Sequence, residues 1–155
     1  MLIKTKYFGE INLCEEKIIT FENGLIGFEE YKTYTLLYDS EKKEETNLMW
    51  LQSTEEEGLA FPVINPLNVK PDYNPSIEQE LLSPLGELND NNICILLTVT
   101  VPQDIKQTAV NLKAPLIINS DTRKGCQLIV DNKDYPIKYN LYEAMQKAKR
   151  EKGEI

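Results

Sequence analysis

Residues Thr108 to Asn119 read Thr-Ala-Val-Asn-Leu-Lys-Ala-Pro-Leu-Ile-Ile-Asn, and the reading of this stretch decides the fold class. Thr108, Val110 and Leu112 alternate with Ala109, Asn111 and Lys113, the period-2 pattern of a half-buried strand, and Leu116, Ile117 and Ile118 form a second apolar run. Pro115 stands between them. A proline cannot donate to a sheet ladder and drives the preceding residue into an extended conformation, so the chain bends, bulges or meets a sheet edge here. The expectation is a buried or half-buried corner, Asn111 to Pro115, between two strands of an all-β core.

Outward from this corner the same signals recur. Ile93 to Val101 is the longest apolar run and is placed at the centre of the sheet. Leu2 to Phe8, Glu10 to Leu13, Lys17 to Phe21, Thr33 to Tyr38, Leu48 to Gln52 and Leu59 to Ile64 read as shorter strands. Asn23-Gly24 and Gly27 mark a loop from Glu22 to Tyr31, and Asp39 to Glu45 reads as a charged hairpin connection. Asn65 to Pro75 holds three prolines and is expected to be an irregular crossing. Ser76 to Leu82 is the first expected helix, with Glu78 and Glu80 near the positive end of its dipole. After the corner, Gln127 to Val130 reads as a strand with Tyr135 to Tyr139 as its hairpin partner.

The end of the chain differs in kind. Asn140 can cap a helix whose third residue is Glu143, with Leu141, Ala144, Met145 and Ala148 on one face and Lys147, Lys149, Arg150 and Lys152 on the other. The fold class expected is therefore mainly β: about ten short strands in an antiparallel barrel or pseudo-barrel, with one or two short helices including a C-terminal one. A barrel domain over residues 1–140 followed by an amphipathic helix or frayed tail over 141–155 is the expected division.

The composition excludes several chemistries. Histidine is absent from all 155 residues, which removes the commonest general base, the Ser-His and Cys-His nucleophile arrangements and the commonest metal ligand together. No carboxylate pair stands at a diagnostic spacing, and Gly24 and Gly27 lack the third glycine of a phosphate-binding loop. Neither a catalytic site nor a metal or cofactor site is expected. Cys14, Cys94 and Cys126 are odd in number and widely spaced, so they read as buried small apolar residues rather than disulfide or zinc ligands. No apolar run is long enough to span a bilayer and charged Lys4 and Lys6 occupy the start, so a cytoplasmic protein without membrane contact is expected.

Charge is unevenly distributed. The net charge is −8, yet between Glu44 and Asp104 eleven acidic residues face a single Lys70, while the rest of the chain carries 14 acidic and 16 basic residues. Such a surface repels phosphate backbones and attracts basic proteins, which argues against direct nucleic-acid binding.

Asn-Leu-Lys-Ala-Pro-Leu-Ile-Ile-Asn, from Asn111 to Asn119, resembles the signature of the flagellar assembly factor FliW family. Three further blocks agree in the same order: Thr5 to Gly9, Phe21 to Phe28 (Phe-Glu-Asn-Gly-Leu-Ile-Gly-Phe), and Phe61 to Pro66 followed by Pro71-Asp72-Tyr73. The resemblance spans residues 3 to 138. Phe28, Tyr73, Asn111, Leu112, Ala114 and Pro115 match the pattern and are expected to serve geometry. The resemblance implies a non-enzymatic regulator, monomeric when free, with two mutually exclusive partners: flagellin and the translational repressor CsrA, a small basic RNA-binding dimer. Export of flagellin would free the protein to bind CsrA and relieve repression of flagellin mRNA. On this reading Glu55, Glu56, Glu57, Asp72, Glu78 and Glu80 are the candidate CsrA-facing carboxylates. A flagellin export chaperone without a regulatory role, and a small-molecule-binding barrel, are the alternatives.

Overall fold

The structure is a computed structural model that describes residues 1–38 and 48–151, the last four of these by backbone alone. Its strands are β1 (Leu2–Lys4), β2 (Glu10–Asn12), β3 (Ile18–Phe21), β4 (Thr33–Leu37), β5 (Leu48–Ser53), β6 (Ala60–Ile64), β7 (Ile93–Thr100), β8 (Ala109–Val110), β9 (Leu116–Asn119), β10 (Lys124–Gln127) and β11 (Tyr139–Asn140). Two α-helices, α1 (Gln79–Leu82) and α2 (Leu141–Glu151), accompany them. The ladder β3-β4-β5-β6-β7-β9-β10 closes on itself when β10 pairs with β3, giving a seven-stranded barrel. A closed ring of odd number cannot alternate direction all the way round. One neighbouring pair must be parallel, and it is β3 with β10; every other pair is antiparallel. Beyond Leu97, β7 also pairs with β8, and β8 pairs with β11, while β1 and β2 form a separate hairpin.

The long apolar run of β7 has a packing explanation. Leu96 packs with Phe21, Tyr34, Leu51, Val63, Leu116 and Ile118, whereas its neighbours Leu97 and Val99 pack with Ile64, Val110, Leu112, Tyr135 and Leu141. Successive residues point to opposite faces, so β7 separates two cores and is apolar on both sides. Each such Leu or Ile taken from water contributes about 1.5–3 kcal/mol.

The expected elements shift where local hydrogen bonds compete with the ladder. The strand expected from Thr108 contracts to Ala109–Val110 because the Asn111 side chain accepts the Lys113 and Ala114 amides, both at 3.0 Å, and turns the chain. Likewise Leu2–Lys4 stops at Thr5, whose hydroxyl accepts the Phe8 amide and donates to the Gly9 carbonyl. The first helix is one turn, continued by a 3-10 turn at Ser83–Leu85, since Pro84 has no amide to extend it. The strand expected at Gln127 to Val130 begins instead at Lys124. Gly125 permits this: a Cβ there would stand 2.6 Å from the Phe21 ring.

Two expectations are overturned. Tyr135 to Tyr139 is not the hairpin partner of the Gln127 segment. Tyr135 is buried against Tyr73 with ring centroids 4.6 Å apart, and the strand that follows pairs with β8. The cysteines also differ from the reading of three buried residues: Cys14 is exposed, while Cys94 and Cys126 are half-buried, their thiols pushed up by burial, Cys126 to about 11. The charged connection expected at Asp39 to Glu45, and the side chains of Ala148, Lys149, Arg150 and Lys152, lie outside the described residues. No helix among the described residues is long and apolar enough to cross a membrane.

Candidate functional site

Glu55, Glu56 and Glu57 form the turn between β5 and β6. Ser53 starts it, its Oγ accepting the amides of Glu55 and Glu56 at 3.0 Å each. Gln52, buried at the end of β5, holds it from below: its Nε2 stands 3.0, 3.1 and 3.2 Å from the carbonyls of Ser53, Glu57 and Leu59, and its Oε1 accepts the Lys6 amide at 2.9 Å. The three carboxylates are not equivalent. Glu55 Oε1 accepts from the Thr33 hydroxyl (2.9 Å) and the amides of Thr33 (3.1 Å) and Lys32 (3.2 Å). Partial burial pushes this carboxyl up, but those hydrogen bonds and the nearby Lys32 charge outweigh it and hold it below the ordinary carboxylate value. Glu55 is thus committed to its own chain. Among the described residues the Glu56 carboxylate takes only a long contact from the Gly58 amide at 3.4 Å, and Glu57 is exposed.

The loop from Glu22 to Lys32 lies against this turn. Glu30, Glu56 and Glu55 together raise the Tyr31 hydroxyl, Glu30 being the largest influence. Phe28 meets Phe61 of β6 edge-on at 5.1 Å and remains 38% exposed, with Ile26 beside it at 52%. Gly24 is required here: its φ is +67° and a Cβ would come within 2.5 Å of the Glu29 backbone. The loop that Glu55 ties to the acidic turn therefore exposes two apolar side chains, Phe28 and Ile26.

The remaining acidic candidates stand elsewhere. Asp72 pairs with Lys70 at 3.0 Å and shares a shallow cleft with Tyr139 and Lys147. Its carboxyl is lowered by the Lys70 hydrogen bond. Glu78 precedes α1 and Glu80 lies in its first turn, both exposed. The six carboxylates thus occupy three settings rather than one patch.

The corner motif is buried and closely tied. Leu112, Ala114 and Pro115 are buried, and the Tyr73 hydroxyl donates to the Leu112 carbonyl at 2.7 Å. Phe28 is far off in sequence but joined through Gln127, which accepts the Ile26 amide at 2.8 Å and donates to the Ala114 carbonyl at 3.2 Å. Glu30, Gln52 and Gln127 are absent from the candidates read from the sequence. A glutamine has no local signature for a contact 46 or 101 residues away. Glu29-Glu30 could have been noted as an acidic pair, but nothing in the linear order places it beside Glu56. Among the described residues no group of three or more Cys, Asp or Glu is placed to hold a metal ion.

The profile of the family described as "FliW protein" matches residues 2–141. The flagellar assembly factor FliW of Lachnoclostridium phytofermentans is 50% identical over 155 residues, covering 99% of each chain. That of Lachnospira eligens is 49% identical over 148 residues, 95% of this chain and 98% of the other. A crystal structure of the flagellar assembly factor FliW superposes with a TM-score of 0.82 at 33% identity, over 92% of this chain and 97% of that one. With the fold and nearly the whole length in agreement, the chain belongs to the FliW family of flagellar assembly factors.

Proposed function

We propose that this protein is a non-enzymatic cytoplasmic regulator that binds flagellin and, once flagellin has been exported, binds and antagonises the basic repressor CsrA. Its family supports a role in flagellar assembly. The observation that carries the CsrA half is the acidic turn: Glu30 and Glu56 both act on Tyr31, Glu57 is exposed beside them in sequence, and the loop that Glu55 ties to this turn exposes Phe28 and Ile26. Exposed apolar side chains on a loop tied to an acidic turn suit a basic protein partner: the apolar side chains hold it, and the carboxylates speed and orient its approach. On this reading the barrel of residues 1–140 is the working domain, monomeric when free, with residues 141–155 as an appended helix, and no nucleic acid, membrane or cofactor takes part.

The test is the association rate with purified CsrA at low and high salt. Each exposed carboxylate contributes only about 0.2–1 kcal/mol, so several must change together. Glu55 is left intact because it holds Lys32 and Thr33. Neutralising Glu30, Glu56 and Glu57 to glutamine is expected to slow association about threefold to tenfold and flatten its salt dependence. An unchanged rate and salt slope would overturn the assignment.

A further inference from the structure

Past the end of β10 the chain keeps one side paired. The Leu128 and Val130 amides donate to the carbonyls of Pro115 (3.2 Å) and Lys113 (2.8 Å). Ile129, between them, faces the other way. Its amide and carbonyl make no hydrogen bond among the described residues, and it is 62% exposed. This is an unpaired backbone edge just past β10, and the Ser76–Glu78 segment and α1 stand across from it.

A groove runs along that edge. A cleft of about 270 Å³ between the Glu22–Gly24 turn, Lys124–Leu128 and α1 meets a second of about 90 Å³ between Ser76–Glu78 and Leu128–Asp131, and Leu81 and Leu128 line both. Leu81 is 49% exposed. The charge along the groove is one-sided. Lys124 is paired with Glu22 at 3.8 Å, whereas Glu78, Glu80 and Asp131 have no cationic partner among the described residues.

We propose that this groove binds an extended segment of a partner protein with alternating apolar and basic side chains, which adds as a strand along the Ile129 edge. Backbone pairing supplies the attachment, Leu81 and Ile129 cover the apolar side chains, and the three carboxylates select for basic ones. A neutral or acidic segment would leave those carboxylates uncompensated.

The probe is a fluorescein-labelled octapeptide of alternating valine and lysine. A valine-glutamate octapeptide and a valine-lysine octapeptide N-methylated at every second residue serve as comparators. The valine-lysine peptide is expected to bind and to slow hydrogen exchange of the Ile129 amide about tenfold or more. Glu78→Gln with Glu80→Gln should weaken it about threefold, most clearly at low salt. Ile129→Pro removes a donor that has no partner in the folded chain, so the fold, checked by circular dichroism, is kept while binding falls about tenfold. Equal binding of the N-methylated or the valine-glutamate peptide, or no protection at Ile129, would overturn the proposal. So would a dimer of the protein alone that Ile129→Pro dissociates, since the occupant would then be a second copy. Flagellin and CsrA are absent from this assay, so its failure is distinguishable from failure of the proposed function.

Discussion

Two buried tyrosines show how much depends on one hydroxyl. Tyr73 donates to the Leu112 carbonyl at 2.7 Å, whereas the hydroxyl of Tyr34, packed between Phe21 and Phe61, has no hydrogen-bond partner among the described residues. Burial raises both phenols, Tyr34 to about 12, so each stays protonated. Tyr73→Phe leaves a buried carbonyl unsatisfied and is expected to cost about 1–3 kcal/mol in urea denaturation, while Tyr34→Phe is expected to be neutral or stabilising. Glu55 offers a pH test. Its folded carboxyl lies below the ordinary value of 4.5, so its contribution is present above that value and lost as pH falls through the lowered folded value. The melting-temperature gap between the native protein and Glu55→Gln should be widest at neutral pH and close in acid. A gap that is constant with pH would show that the carboxylate charge is not what holds Thr33.

At the scale of elements, the Asn111–Pro115 corner turns the chain between β8 and β9 and receives Leu128 and Val130 on its carbonyls. Pro115→Ala frees the unfolded chain and loosens a buried contact, and should lower stability by about 1 kcal/mol at unchanged denaturant slope. Flagellin and CsrA affinities should persist. Full melting stability with loss of flagellin binding would instead make the corner a contact surface. The same corner explains which boundaries were legible. Alternation at Val110 and Leu112 marked a strand, but the Asx turn at Asn111 ended it early, and only the side-chain hydrogen bonds show that.

For the whole molecule, the barrel separates carboxylates that the linear charge map grouped together. Glu56 and Glu57 lie in the β5–β6 turn, Asp72 is held by Lys70, and Glu78 and Glu80, just before and within α1, flank the groove. Changing Asp72, Glu78 and Glu80 to their amides should therefore leave the CsrA association rate within about twofold, in contrast to the Glu30, Glu56 and Glu57 triple. An effect equal to or larger than that of the second triple would move the interface to α1. Surface plasmon resonance with both variants over a salt series decides between them.

What the sequence determined by itself is what depends on local order: period-2 alternation and unbroken apolar runs marked the strands, Asn-Gly and Pro marked turns, Asn140 set the cap that accepts the Glu143 amide at 2.8 Å, and four ordered blocks carried the family resemblance. What only the tertiary structure decided is pairing at long range. The parallel β3–β10 closure, the docking of Tyr135 on Tyr73, the Gln52 lock beneath the acidic turn and the Gln127 bridge all join residues far apart in the chain. A strand's pattern states that one face is buried but not against which partner, because the burial free energy is non-directional and the hydrogen bonds that choose the partner belong to backbone atoms every residue shares.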